Sequence, residues 1–318
     1  MKQRIITALI LITLLIPVTV INHPIAFNIF QVLVFAFVII GAFEMLSMFE
    51  KEKKMHLGVK ITIVILTILT YMNVGGLVEP LNPITLPDFH LITIRINPVV
   101  VIGVVTLTLL AMMVFVDEFT GADIGKALTI INYVGLGAAS IVLLRFLGVR
   151  FIVYVLLIST TTDIFAYFFG MAFGKHKLAP RISPKKSWEG AIAGTVFGTL
   201  IAAAFAIYYG EIFRPDGIFG EILNPSNYQT IFDNFTSLGD QPRWIQALII
   251  LPITLLGSVS AQIGDLVASK FKRTYQIKDF GNIMPGHGGV LDRFDSFLFI
   301  GLLFLSIFII ITQAYPLA

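Results

Sequence analysis

Cysteine is absent from the 318 residues, which removes disulfides, thiolate metal sites and cysteine nucleophiles together. Charge is scarce as well, at 13% Asp, Glu, Lys and Arg, about half of what a soluble domain carries. No block of like charge and no low-complexity run is present, so disorder and fibrous structure are excluded. Internal repeats are also missing, which weakens a transporter made of inverted halves. What fills the chain is apolar: 57% hydrophobic residues, 28 of them Phe. Its net charge of +3 is too small to argue for nucleic acid, and no nucleic-acid partner is expected.

About 20 apolar residues are needed to cross a hydrocarbon core. The sequence predicts nine such helices, near 4–22, 25–46, 59–78, 96–116, 126–148, 151–173, 188–209, 244–268 and 294–316. The expected fold is therefore all-α and polytopic, with five N-terminal membrane helices in 1–150 and four in a catalytic region, 151–318. The first span follows Lys2 and Arg4 but lacks a small-residue cleavage site, so it reads as a retained helix. Nine crossings assign 17 of the 22 Lys and Arg to the side of the N-terminus, which the positive-inside rule places in the cytoplasm of a multi-pass cell-membrane protein. The outer stretch Gly210 to Arg243 reads as a surface excursion without recognisable chemistry.

Polar residues concentrate at three places. Glu44 ends the second span and could simply reach the interface, so it stays unassigned. Asp163 follows Ser159, Thr160, Thr161 and Thr162 within a span; a buried hydrogen-bonded network would explain it, and the wall of a hydrophilic cavity explains it better. The cytoplasmic loop 174–187 holds five cations in twelve residues. There Ser183-Pro184 resembles a helix start, placing Lys185 and Lys186 at a helix N-terminus. Those lysines either anchor to anionic headgroups or grip phosphates. Gly190, Gly194 and Gly198 then recur at four-residue spacing, a packing face.

The densest constellation runs over Gln262 to Ser296, including the loop 269–293. It gathers Asp265, Asp279, Asp292 and Asp295 with Lys270, Lys272, Arg273, Lys278 and Arg293, one histidine (His287) and five glycines. Carboxylates suit Mg²⁺, cations suit phosphate, and glycines let backbone amides approach anionic oxygens. Taken singly each has a plain structural role, as a dipole partner, an anchor or a turn. Together they point to phosphoryl or nucleotidyl chemistry with a metal. Gly121 to Lys126 is not a phosphate loop, having one residue too few between its glycines and no Ser or Thr after Lys126.

Ser269-x-Phe271-Lys272-Arg273, Lys278-Asp279-x-Gly281 and Pro285-x-His287-Gly288-Gly289-Val290-x-Asp292-Arg293-Phe294-Asp295 resemble the signature of the bacterial-type phosphatidate cytidylyltransferases, or CDP-diacylglycerol synthases. Met284 departs from the usual Leu or Ile, a swap that conserves volume. Asp163, Ala166-Tyr167, Gly174-Lys175 and Ser183-Pro184-Lys185-Lys186-Ser187-x-Glu189-Gly190 are also similar to that family, with Ser187 where Thr is common. The likeness covers the C-terminal half.

The resemblance implies a membrane enzyme that joins CTP to phosphatidate with Mg²⁺, giving CDP-diacylglycerol and pyrophosphate. Asp265 and Asp292 are the first choices as metal ligands, Asp163 and Asp295 the second, and a further cation can be accommodated. Lys278, His287 and Arg293 join the two aspartates as catalytic candidates. Ser183, Lys185, Lys186, Lys270, Lys272, Arg273, Gly288 and Gly289 are expected to bind substrate. Small residues on the helices permit a homodimer. A CTP-dependent lipid alcohol kinase and a transporter are the alternatives.

Overall fold

The computed structural model describes residues 13–78, 93–214, 216–284, 286 and 288–317. Eight helices frame it: α1 Pro24–Phe49, α2 Leu57–Met72, α3 Pro98–Phe115, α4 Gly121–Leu147, α5 Val149–Phe173, α6 Trp188–Ile207, α7 Arg243–Thr274 and α8 Leu291–Ala314. All but α2 are long and apolar enough to cross a membrane. Residues 13–20 are helical too, and the rest of the expected first span lies outside the described residues.

Helix starts follow local chemistry. His23 and Asn97 cap α1 and α3 by accepting from Ile25 and Val99 N–H groups, and each is followed by Pro at the first helical position. In α4, Asp123 Oδ2 reaches back to the Thr120 N–H (2.9 Å), and a π-helical turn, Ile131–Leu136, follows. There Gly135 lies so close to α2 that a Cβ would fall 2.7 Å from the Thr67 carbonyl oxygen.

The span expected over 59–78 is broken. Helix α2 stops at Met72, 16 residues and about 24 Å long, and a separate turn follows at Val74–Val78. Asn73 accepts from the Ile96 N–H (2.9 Å), and the Met72 carbonyl accepts from Ile94 (2.8 Å). Gly75 and Gly76 admit that strand of backbone, because a Cβ on Gly75 would meet the Ile94 oxygen at 2.6 Å.

Two compact units divide the chain. One contains 13–19, His23–Phe146 and Phe271–Phe294; the other contains Val20–Asn22, Leu147–Lys270 and the residues from Asp295 onward. Residues 271–294 group with the helices of the first unit.

In the second unit α5 and α6 pack through the glycine face. A Cβ at Gly190 would lie 2.5 Å from the Ala166 oxygen, and one at Gly194 would lie 2.6 Å from that of Thr162. Buried polar pairs tie in α7: Thr162 with Ser258 and Tyr154 with Thr254 at 2.6 Å each, and Gln262 with Thr195 at 2.8 Å. Within the stretch 210–243, expected as a surface excursion, most described residues of 211–229 are exposed, while 230–238 is largely packed. Phe232 and Phe235 are buried against Phe151 and Phe308, and Asn224 is buried with its amide donating to the Tyr228 carbonyl. Its polar composition hid the aromatic pair that holds it down.

Candidate functional site

Two polar clusters stand out, one in each unit. In the second unit, the expected loop 174–187 is largely a β-hairpin, β1 Lys177–Ala179 antiparallel to β2 Ser183–Ser187. Ser183 and Pro184 are therefore not a helix start. Ser183 pairs with Ala179 in the ladder, and the cap of α6 is Ser187, whose Oγ accepts from the Gly190 N–H (3.2 Å). The reason is local: Glu189 accepts from the backbone and ring N–H of His176, stitching the hairpin base to the first turn of α6.

This moves Lys185 and Lys186 onto a strand just ahead of the helix. Lys186 Nζ contacts Asp265 Oδ2 at 2.5 Å. Asp163, Tyr167, Lys177, Lys185, Lys186 and Gln262 line a cavity of about 460 Å³. The hydroxyl run beside Asp163 divides between the two readings. Thr160 and Thr161 bond their own helix carbonyls and Thr162 bonds Ser258, while the Asp163 carboxylate faces the cavity and feels both Lys186 and Asp265. Lys270 is exposed at the end of this unit. Asp295 is buried and accepts from the Ser296 N–H (2.8 Å).

The first unit holds the glycine-rich loop. Asp292, its side chain only 3% exposed, takes Lys272 Nζ on Oδ1 (2.8 Å) and the N–H groups of Phe280 (2.8 Å) and Gly289 (3.0 Å) on Oδ2. A carboxylate offers about four lone-pair sites, so roughly one is left over. Lys272 also lies 5.1 Å above the Phe280 ring, which holds its stem against the loop. Gly288 has φ +88° and a Cβ there would press on Asp279 and Asp292 at 3.0 Å, so only glycine suits the position. The Met284 N–H donates to the Gly288 carbonyl and closes the turn. Lys278, Asp279, Asn282, Gly288 and Arg293 line a cleft of about 600 Å³, and Arg273 is exposed nearby in sequence. His287 lies outside the described residues.

Glu44 is the residue that sequence reasoning left without a role. From α1 it accepts the N–H groups of Val290 (2.9 Å) and Leu291 (2.8 Å), the free donors at the start of α8. It is 5% exposed and packs on Gly281 and Gly289, where a Cβ would collide with its carboxylate. The only sequence signal was an acid inside an apolar span.

For Mg²⁺, the oxygen donors are of the right chemical kind. Among the described residues no three His, Asp or Glu side chains converge, but Mg²⁺ needs only one or two carboxylates when phosphates and water complete its shell. Asp265 with Asp163 near it fits that need. Asp292 fits through its remaining lone pair, or in exchange for Lys272.

A model of the cytidylyltransferase family matches residues 2–311. Three similar proteins carry the name phosphatidate cytidylyltransferase. The one from Staphylococcus aureus (strain COL) is 38% identical over 184 residues, 58% of this chain and 58% of its own length. Those from Staphylococcus epidermidis and Staphylococcus saprophyticus are 37% and 35% identical over the same share of each chain. The matched segment thus spans under two thirds of these relatives.

Proposed function

This chain belongs to the cytidylyltransferase family, and on that premise we propose that it transfers the CMP moiety of CTP to phosphatidate, yielding CDP-diacylglycerol and pyrophosphate. One observation carries the reading: Asp292 is fixed by two loop amides and Lys272 inside the segment that bears the resemblance. An anion-accepting glycine loop and a preorganised carboxylate–ammonium pair are what a triphosphate with a cation requires. The relatives named for the reaction support it.

An oxygen of the phosphatidate phosphate attacks the α-phosphorus of CTP in line, and the bond to the β-phosphate breaks as pyrophosphate leaves. The attacking phosphate is already ionised, so no general base is needed. The work left to the protein is positioning and charge neutralisation. Lys186 and Lys272 each neutralise an aspartate. In our reading the ammonium group of a cluster turns to a phosphate oxygen where substrate binds there, which frees that cluster's aspartate, Asp265 or Asp292, for a cation. Bound Mg²⁺ supplies Lewis-acid neutralisation of the triphosphate. In the second unit Asp163 supports Asp265, with Lys185 and Lys270 as its phosphate-binding cations; in the first, Arg273, Lys278 and Arg293 serve that role beside Asp292.

We read the N-terminus and site as cytoplasmic in the cell membrane; the 17-of-22 bias behind that reading counts nine crossings, seven of which fall on helices long and apolar enough to span among the described residues. The glycine face of α6 is used within the chain against α5, so it offers no support for a homodimer.

Purified protein given phosphatidate, Mg²⁺ and CTP labelled at the α-phosphate is the test. Label in a CDP-lipid, abolished by EDTA, is the expected outcome. Lipid labelled only from γ-labelled CTP would replace the reading with a lipid kinase.

A further inference from the structure

A second cleft in the first unit, about 860 Å³, lies between the C-terminal half of α1 and residues 277–283. Its α1 wall holds Ile39, Ile40, Phe43, Glu44, Ser47 and Met48, with Lys51 just past the end of the helix, and Ile39, Phe43, Ser47 and Lys51 follow one another at four-residue spacing. Chemistry grades along it from aliphatic to aromatic to hydroxyl to ammonium over about 18 Å. Phe43 is 49% exposed, whereas neighbouring Met45 and Leu46 are buried and do not line the cleft. Lys278 stands on the opposite wall.

Lys53, Lys60, Lys126 and Lys272 in the same unit pair with carboxylates, while Lys51, Lys54 and Lys278 have no ion pair among the described residues, and two of those three line this cleft. Of the two carboxylates lining the cleft, Glu44 is held by two backbone amides. Asp279 is the other, so the lining holds two ammonium groups and two carboxylates, one of them tied down by backbone amides. Two ammonium groups in a cleft walled by Ile39, Ile40, Phe43 and Ile283 suit a phosphate carried on acyl chains.

We infer that this cleft is the phosphatidate subsite, with Lys51 and Lys278 on the phosphate, Ser47 at the glycerol ester level and Ile39, Ile40 and Phe43 along the acyl chains. The inference rests on the reaction proposed above and adds Lys51, Ser47 and the α1 stripe to its substrate-binding residues. A monoester carries about −1.5 to −2 charge against −1 for a diester, so two cations favour phosphatidate over the diester lipids around it. Apolar contact along α1 fixes the depth of the lipid and leaves its phosphate at the membrane boundary, where Lys51 follows the end of the helix.

Full-length protein is incubated with a phosphatidate analogue bearing a photoreactive acyl chain, and the labelled peptide is mapped. The expected label falls on 39–47 and is displaced by phosphatidate, not by phosphatidylglycerol or soluble glycerol phosphate at equal concentration. Lys51→Gln should raise KM for phosphatidate about tenfold, the scale of one charged hydrogen bond, with KM for CTP unchanged. Lys54→Gln, in the same loop but outside the cleft, should leave both unchanged. Label elsewhere, equal displacement by phosphatidylglycerol, or an unchanged KM in Lys51→Gln overturns the subsite while leaving the reaction intact. Label on 39–47 that depends on Lys51, in protein making no CDP-lipid, keeps the subsite and overturns the reaction.

Discussion

Glu44 and Leu291 are 247 positions apart in sequence and joined by a 2.8 Å hydrogen bond from the Leu291 N–H to Glu44 Oε2. With Val290 bonded to the other oxygen, one carboxylate serves as the cap of α8, and the next residue is Asp292. Removing it leaves two buried donors unpaired, at about 1–3 kcal/mol each. Glu44→Ala should lower the melting temperature and cut kcat about 100-fold, since a shift of about 1 Å at a reacting centre has that effect. Glu44→Gln keeps one acceptor and should recover part of both. Steady-state kinetics beside thermal unfolding checks this, and full kcat in Glu44→Ala would show that the cap does not position Asp292.

Asp292 and Lys272 form a pair whose members depend on each other. Asp292→Asn retains volume and should retain the fold, with kcat down about 100-fold or more, as for loss of one preorganised charge. Lys272→Met strands a carboxylate that is 3% exposed and should cost about 3 kcal/mol. The double variant should be more stable than the two losses added together, a coupling of about 1–3 kcal/mol. Additive losses in a denaturation series would mean that the pair is not an energetic unit.

The apolar spans were legible because crossing lipid demands length and composition, and both are written along the chain. What was hidden depends on backbone groups, which carry no side-chain signature. Asn73 breaks the expected span 59–78 by serving the Ile96 N–H. Ser187 caps α6 where Ser183 was expected to, because the hairpin extends to residue 187. Glu44 serves two amides nearly 250 residues away. Within the site, residue types and their order were readable. That residues 271–294 group with the N-terminal helices was not, since no spacing along the chain encodes it.

Glycines separate into those that touch and those that do not. Gly190→Ala would place a methyl 2.5 Å from the Ala166 oxygen and 2.9 Å from the Gly170 Cα, so α5 and α6 must part, at about 1–3 kcal/mol. Gly125→Ala meets nothing within 4 Å in a helix and should be neutral or stabilising by up to about 1 kcal/mol. Thermal unfolding of the two variants in one detergent should rank them in that order, and equal melting temperatures would contradict the close packing of α5 on α6.

Asp265 and Lys186 test the proposed exchange of an ammonium for a cation. At 2.5 Å the ammonium occupies Oδ2, so a metal and Lys186 compete for the same carboxylate. Removing the competitor should ease metal binding, while removing the carboxylate should hinder it. Lys186→Met is therefore expected to lower the free Mg²⁺ needed for half-maximal rate and to raise KM for CTP about tenfold, because its phosphate contact is lost. Asp265→Asn should move the Mg²⁺ requirement the other way. Rates measured across free Mg²⁺ at fixed CTP give both shifts, and opposite signs are the signature of exchange. Should the Asp265→Asn curve overlay the wild type, the carboxylate holds Lys186 alone and the cation is bound elsewhere.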